Sequence, residues 1–343
     1  MELQEKILAL AKKKRKFKTS DVLRELHNEF SRQYVTRITS ELVAENKLVK
    51  SGSTNNSAYS LPSNIASLGN SAKKRLINNN LQEHEVLEQI KSLAPFTLQL
   101  RDNVRSIFDY AFSEMLNNAI EHSKSDKIEI EVSKRDHFLR FIVRDFGIGV
   151  FRNVMKKRSL KSEYEAMQDL LKGKTTTAPR AHSGEGIFFT SKSADIFILE
   201  SFGFKMVVDT IAKDVFLEKQ KRSTKGTRVS FEILLASKKH TVDVFNQFQV
   251  NPNDFAFNKT EVQVKLYTIG TVHVSRSQAR RIVSGLDKFE AIVLDFDKVP
   301  SVGQGFTDEI FRVFKTRHPH IKITPVNMNE SVEFMVKRAK GNK

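Results

Sequence analysis

FSEMLNNAIEHS at residues 112–123, RDFGIGV at 144–150 and HSGEGIFFT at 182–190 decide the fold. Around the first block, Ile107, Ala111, Met115 and Ala119 recur at helical spacing beside Phe108, Phe112, Leu116 and Ile120, which predicts one amphipathic helix over 104–121. Glu114 and Asn118 lie four apart, so a carboxylate and an amide share a face one turn from each other. Asn117 and Asn118 are poor helix formers placed mid-helix beside an apolar stripe, a local cost that points to another use. The second block follows two runs rich in β-branched and aromatic residues, 127–133 and 138–144, a predicted hairpin that puts Asp145 at a strand end. Gly147 and Gly149 come directly after and let the backbone turn sharply and approach a ligand. In the third block, Gly184 and Gly186 open an apolar run that can start a helix, where backbone N–H groups make an anion site. Each residue has a plainer reading by itself: Glu114 a solvated carboxylate, Asn118 an exposed amide, the glycines ordinary turns.

Their order carries more than any one of them. A helix with E-x-x-x-N, a strand with D-x-G-x-G, a variable stretch and G-x-G before a helix resembles the GHKL ATPases. That family includes gyrase, MutL, the heat-shock chaperones, histidine kinases and the anti-sigma factor kinases. Lys225, Gly226 and Thr227, ahead of a strand over 228–234, are similar to the family's closing G-T element. The resemblance implies an α/β sandwich with helices on one sheet face, and ATP and Mg²⁺ as cofactors. It assigns Glu114 as general base, Asn118 as ligand to the Mg²⁺ bridging the phosphates, and Asp145 as acceptor for the adenine amine. The region 151–183 corresponds to the family's nucleotide lid. Its predicted helix over 163–171 is followed by GKTTTAPRAHS, whose hydroxyls and Lys174, Arg180 and His182 suit phosphates or belong to an ordinary surface loop.

With 343 residues, 39% of them hydrophobic, the chain has room for two or three domains with real cores. It has no cysteine, which removes disulfides, thiolate metal sites and a cysteine nucleophile. The chain opens on an acidic amphipathic segment and reaches its basic cluster only afterwards, the reverse of a secretory signal; the expected location is cytoplasmic. A net charge of +17 points to a polyanionic partner, with a basic solvated surface as the alternative.

Residues 1–62 hold twelve Lys/Arg against seven Asp/Glu. Leu3, Ile7, Leu8, Leu10 and Ala11 make one helical face; Thr19 and Ser20 are expected to cap a second helix over 21–30, and Ser31 a third. Two short strands, 47–51 and 58–61, flank the polar turn GSTNNS. This order is similar to a winged helix-turn-helix. The resemblance points Arg32, Gln33, Thr36 and Arg37 at duplex DNA and the wing 52–57 at its backbone. The run KKKRKFK at 12–18, with Lys12, Lys13, Lys14 and Arg15 in front, suits phosphates, although a solvated loop or a protein-binding winged helix reads the same way.

The polar stretch 63–75 reads as a linker, and 76–93 as a coupling helix, before an ATPase domain over 96–236. From 250 to 343, strand and helix patterns alternate, and AIVLDFDKVPSVGQGFTDEIF resembles the STAS fold of anti-sigma factor antagonists. Gly303, Gln304 and Gly305 stand where that family has its phosphorylatable serine, with Ser301 and Thr307 only flanking the turn. The expected whole is an α/β multidomain protein, possessing a winged helix, a GHKL sandwich and a STAS-like domain. Three functions follow as expectations: an ATP-driven regulatory switch on DNA, a protein serine/threonine kinase of the anti-sigma type, or a nucleotide sensor with little hydrolysis. The STAS-like domain offers a surface for a protein partner, and GHKL proteins often form homodimers.

Overall fold

The structure, a computed structural model, describes residues 2–52, 57–175, 184–251, 253, 256–267 and 275–341. In chain order, helices α1 (Leu3–Lys13), α2 (Thr19–Glu25) and α3 (Arg32–Ala44) precede a short antiparallel pair, β1 (Val49–Ser51) and β2 (Ala58–Ser60). Strand β3 (Ser71–Ile77), α4 (Glu83–Leu93) and the long α5 (Asp102–His122) lead into β4 (Lys127–Arg135) and β5 (Phe138–Asp145). Then come α6 (Val150–Lys157), α7 (Glu163–Lys172), α8 (Gly186–Ser193), β6 (Ile196–Ser201), β7 (Phe204–Asp209), β8 (Asp214–Lys219) and β9 (Thr227–Leu234). The chain closes with α9 (Thr241–Asn246), β10 (Lys259–Gln263), α10 (Arg276–Val283), β11 (Ala291–Asp295), α11 (Gln304–Asp308), α12 (Lys315–Arg317), β12 (Lys322–Val326) and α13 (Glu330–Gly341). It divides into two units, residues 1–147, 194–199 and 225–238, and residues 148–193, 200–224 and 239–343.

In the first unit, α1, α2 and α3 bury Leu3, Ile7, Leu10, Val22, Val35, Ile38 and Leu42 together with Phe17, the apolar residue inside the basic run. Ser31 caps α3 by accepting from the Tyr34 N–H at 3.2 Å. Helix α2 departs from expectation. It starts two residues earlier than expected, with Lys18 as its N-cap, and the Asp21 carboxylate accepts the Lys18 N–H at 2.8 Å. The Asp21 carboxylate thus satisfies the Lys18 N–H, and neither Thr19 nor Ser20 is the N-cap.

The sheet of this unit runs β3-β4-β5-β9-β6, with β3 to β9 antiparallel throughout. The expectation of a linker over 63–75 and a helix from 76 is corrected: residues 71–77 are an edge strand in register with β4, and the helix begins at Glu83. Only Ala72 and Leu76 of β3 are buried, so period-two patterning is nearly invisible, and the lysines that looked like linker polarity sit on a sheet edge. The outer face carries the cross-strand row Arg75, Glu129, Arg144 and Arg228.

Helix α5 packs its buried face, Val104, Ile107, Phe108, Ala111, Phe112, Met115, Leu116 and Ala119, over β5 and β9. Phe141 on β5 is the centre of this contact. Its ring meets Phe108 at 6.0 Å and Phe112 at 5.5 Å edge-on, and stacks on Phe231 of β9 at 4.8 Å.

In the second unit, β7 and β8 form an antiparallel hairpin, and β10, β11 and β12 a parallel sheet. Of the strand-like TVHVS at 271–275, residues 271–274 lie outside the described residues. Helix α11 passes into a π-helical turn, Glu309–Phe314, where buried Glu309 meets Arg280 at 2.8 Å. Among the described residues, no helix is long and apolar enough to cross a membrane. The α/β multidomain class is as expected, with a central antiparallel sheet and a parallel C-terminal one.

Phe141→Ala should lower stability by about 3–5 kcal/mol, the usual cost of emptying a ring-sized site in a packed core, read from the urea midpoint.

Candidate functional site

In the first unit, the site begins at the end of β5. Asp145 is 4% exposed, and its Oδ1 accepts from the Gly147 N–H at 2.9 Å and the Thr227 N–H at 3.2 Å. The Thr227 side chain bonds to it as well. Burial pushes the Asp145 carboxyl up from its ordinary range, opposed by these three donors. An ionised carboxylate held at that cost is poised to gain from a further donor.

The glycines are required by the protein's own backbone. A Cβ on Gly147 would fall 1.8 Å from the Ser123 carbonyl oxygen, and one on Gly226, whose φ is +78°, 2.3 Å from the Asp145 carbonyl oxygen. Gly226 therefore lets the chain before β9 press against the end of β5 and deliver the Thr227 N–H to the carboxylate. Ser123 and Ser125, which sequence reasoning missed, hold the same loop from the other side: Ser125 N–H donates to Ser123 Oγ at 3.0 Å, and Phe146 N–H to Ser125 Oγ at 3.0 Å. Their signal was the serine pair in EHSKSDK, directly after the helix.

Glu114 and Asn118 are half-buried on α5, one turn apart, while Met115, Leu116 and Ala119 between and beside them are buried. Among the described residues, no three His, Asp or Glu side chains gather as a metal site. The Asn118 amide oxygen is a hard ligand of the kind that suits Mg²⁺, which keeps most of its waters and needs few protein groups.

In the second unit, Gly149 (φ +80°) precedes α6; a Cβ there would meet Ser201 Oγ at 2.4 Å and the Phe202 ring at 2.5 Å. Gly184 (φ +75°) accepts the Thr175 N–H at 3.1 Å through its carbonyl, and α8 starts at Gly186. Lys174, expected at phosphates, donates to the Lys288 carbonyl at 3.3 Å and lies 5.6 and 5.1 Å from the Phe257 and Phe289 ring centres. Arg180 and His182 lie outside the described residues.

On the N-terminal helices, Arg32, Gln33, Thr36 and Arg37 are all exposed, but some of their capacity is used locally. Thr36 Oγ1 donates to the Arg32 carbonyl at 2.8 Å, and Arg37 lies 3.8 Å from Glu41. Lys12 and Arg15 are exposed; Lys13 pairs with Glu25 at 3.2 Å and Lys14 with Asp21 at 3.5 Å. On the C-terminal turn, Thr307 is fully buried, and its hydroxyl lies 3.3 and 3.2 Å from the carbonyls of Gly303 and Gln304, to which it donates. A phosphoryl group has no access to it in this fold. Ser301 is half-buried.

Gly226→Ala should strain the turn and displace the Thr227 N–H, lowering nucleotide affinity at least as much as Thr227→Ala does; equilibrium binding with each variant checks the order.

Residues 103–237 match the family described as histidine kinase-, DNA gyrase B-, and HSP90-like ATPase. Residues 278–333 match the STAS-like domain of unknown function. No curated protein is significantly similar to the chain. The chain thus carries a GHKL-type ATPase domain, a class that binds nucleotide, followed by a STAS-like domain.

Proposed function

We propose that this protein is an ATP-responsive regulatory switch, in which Mg-ATP binding and hydrolysis in the central domain set how the N-terminal helices meet duplex DNA. The buried Asp145 carboxylate, fixed by Gly147 and Thr227 at the end of β5, is the observation that carries the nucleotide reading. It offers an acceptor to an exocyclic amine. Adenine satisfies it and guanine sets a carbonyl against it, a mismatch costing on the order of 1–3 kcal/mol.

Glu114 and Asn118 divide the chemistry at the phosphate end. Glu114 accepts a proton from the attacking water, a contribution of roughly 10²- to 10⁴-fold in rate. Asn118 supplies an amide oxygen to the cation. Mg²⁺, when bound, neutralises charge on the phosphates. The same carboxylate would serve a protein kinase by deprotonating a hydroxyl, but burial of Thr307 argues against phosphorylation of that residue within the chain.

The DNA reading is supported by three helices and a hairpin with Arg32, Gln33, Thr36 and Arg37 exposed on α3, in a chain of net charge +17. Exposed ion pairs such as Lys13 with Glu25 hold less than about 1 kcal/mol each, so phosphates can compete for these lysines.

Purified protein incubated with labelled ATP and Mg²⁺ separates the enzymatic readings: free phosphate marks hydrolysis, protein-bound label marks a kinase. Glu114→Ala should abolish phosphate release while ATP still binds, whereas Asn118→Ala should lose Mg²⁺-dependent binding too; parent-rate turnover by Glu114→Ala overturns the general-base role. The full chain should bind duplex with an affinity that falls steeply as salt rises, and replacing Lys12, Arg15 and Arg32 by Ala should flatten that slope by about one unit per lost phosphate contact. Salt-independent binding, or none at low salt, removes DNA as the partner.

A further inference from the structure

The segment that ends α7 is gripped by residues 239–289 at three consecutive positions, 172–174. Lys172 is 4% exposed, and its Nζ donates to the carbonyls of Arg281 at 2.8 Å and Ser284 at 2.9 Å. These carbonyls belong to the C-terminal end of α10, where a cation also meets the negative end of the helix. The Lys172 carbonyl in turn accepts from Thr260 Oγ1 of β10 at 2.6 Å. Gly173 follows with φ +82°, and a Cβ there would lie 2.5 Å from the Phe257 ring. Lys174 and Lys288 then exchange hydrogen bonds, each ammonium donating to the other's carbonyl. Thr175 bonds to the Asp169 carboxylate at 3.1 Å through its hydroxyl and to Gly184 through its N–H.

The grip extends to the glycine-initiated helix. Phe189 of α8 stacks on Phe245 at 3.9 Å, and Phe188 and Phe189 each lie 4.8 Å from Phe257. On the β7–β8 hairpin, Asp214 holds Lys298 at 2.8 Å and Lys265 more closely, which keeps its carboxyl down at about 2.

We propose that residues 239–289 position the glycine-initiated start of α8, whose backbone N–H groups suit phosphates, with Lys172 and Lys288 as positioning residues, so that ATP affinity and the state of the STAS-like domain are coupled. The coupling rests on the nucleotide reading given above. Its logic is reciprocal: whatever fixes α10 against α7 favours the conformation in which Thr175 meets Gly184 at the start of α8, and ATP bound there favours the α7–α10 contact by the same factor. Burial and the cations Arg158 and Arg281 push Lys172 down to about 8, and burial and Arg158 push Lys288 to about 8. Charges held at that disadvantage add little stability by themselves; they fix geometry.

Full-length protein carrying Lys288→Met or Lys172→Met tests this with Mg-ATP as the probe. The variants should raise KM for ATP by about tenfold, an ordinary size for coupling between sites, with kcat nearly unchanged. Lys288→Arg, which still donates to the Lys174 carbonyl, should recover most of the affinity. Amide exchange over 276–289 should slow when Mg-ATP is added to the parent and stay unchanged in Lys288→Met. Lys288 is half-buried, so its variant serves if Lys172→Met fails to fold. Parent-like KM and parent-like exchange in Lys288→Met overturn the positioning role alone. A parent chain that binds no Mg-ATP overturns it together with the nucleotide reading.

Discussion

The Asp145 carboxylate fixes the centre of the first unit. It closes a loop after β5, receives the first N–H of β9, and so ties the register of two adjacent strands to one buried charge. Everything around it makes room for that arrangement: Gly147 against the Ser123 carbonyl, Gly226 against the Asp145 carbonyl, and serines where the turn after α5 must supply acceptors and donors. The carboxyl is pushed up by burial and brought down by its donors, a balance tolerated where a ligand completes the set.

A different principle governs the second unit. There the polar groups are long cations used as tethers: Lys172 into α10, Lys174 and Lys288 across to one another, and Lys265 and Lys298 onto Asp214. Aromatic contact between α8 and residues 245–257 provides the apolar burial on which those tethers depend. The STAS-like domain is in this way built into the half of the fold that carries α7 and α8, with a contact made of backbone carbonyls as much as of side chains.

Much of the first unit was legible in the sequence because its signals are local. Helix α5 shows eight apolar residues at helical spacing, and the β4–β5 hairpin is rich in β-branched and aromatic residues; in the second unit, Gly184 and Gly186 mark the start of α8. The glycines were found for an incomplete reason: they admit a ligand's approach in principle, but Gly147 and Gly226 are demanded first by neighbouring carbonyls. Strand β3 was missed because an edge strand with two buried residues leaves almost no pattern. The Lys172 tether could not be read at all. Its partners lie more than one hundred residues away in sequence, and a lysine near a helix end looks the same whether it is solvated or buried.

Strand β3 also changes what counts as a separable piece of this chain. It is donated to the ATPase sheet by a segment that precedes α4, and it covers the backbone edge of β4 along seven residue pairs. Cutting at residue 96, where composition alone would divide the chain, strips that strand and leaves β4 as a naked edge rich in β-branched residues. Such an edge recruits strands from other molecules. The shortest fragment that keeps the edge of the central sheet covered therefore starts before Ser71.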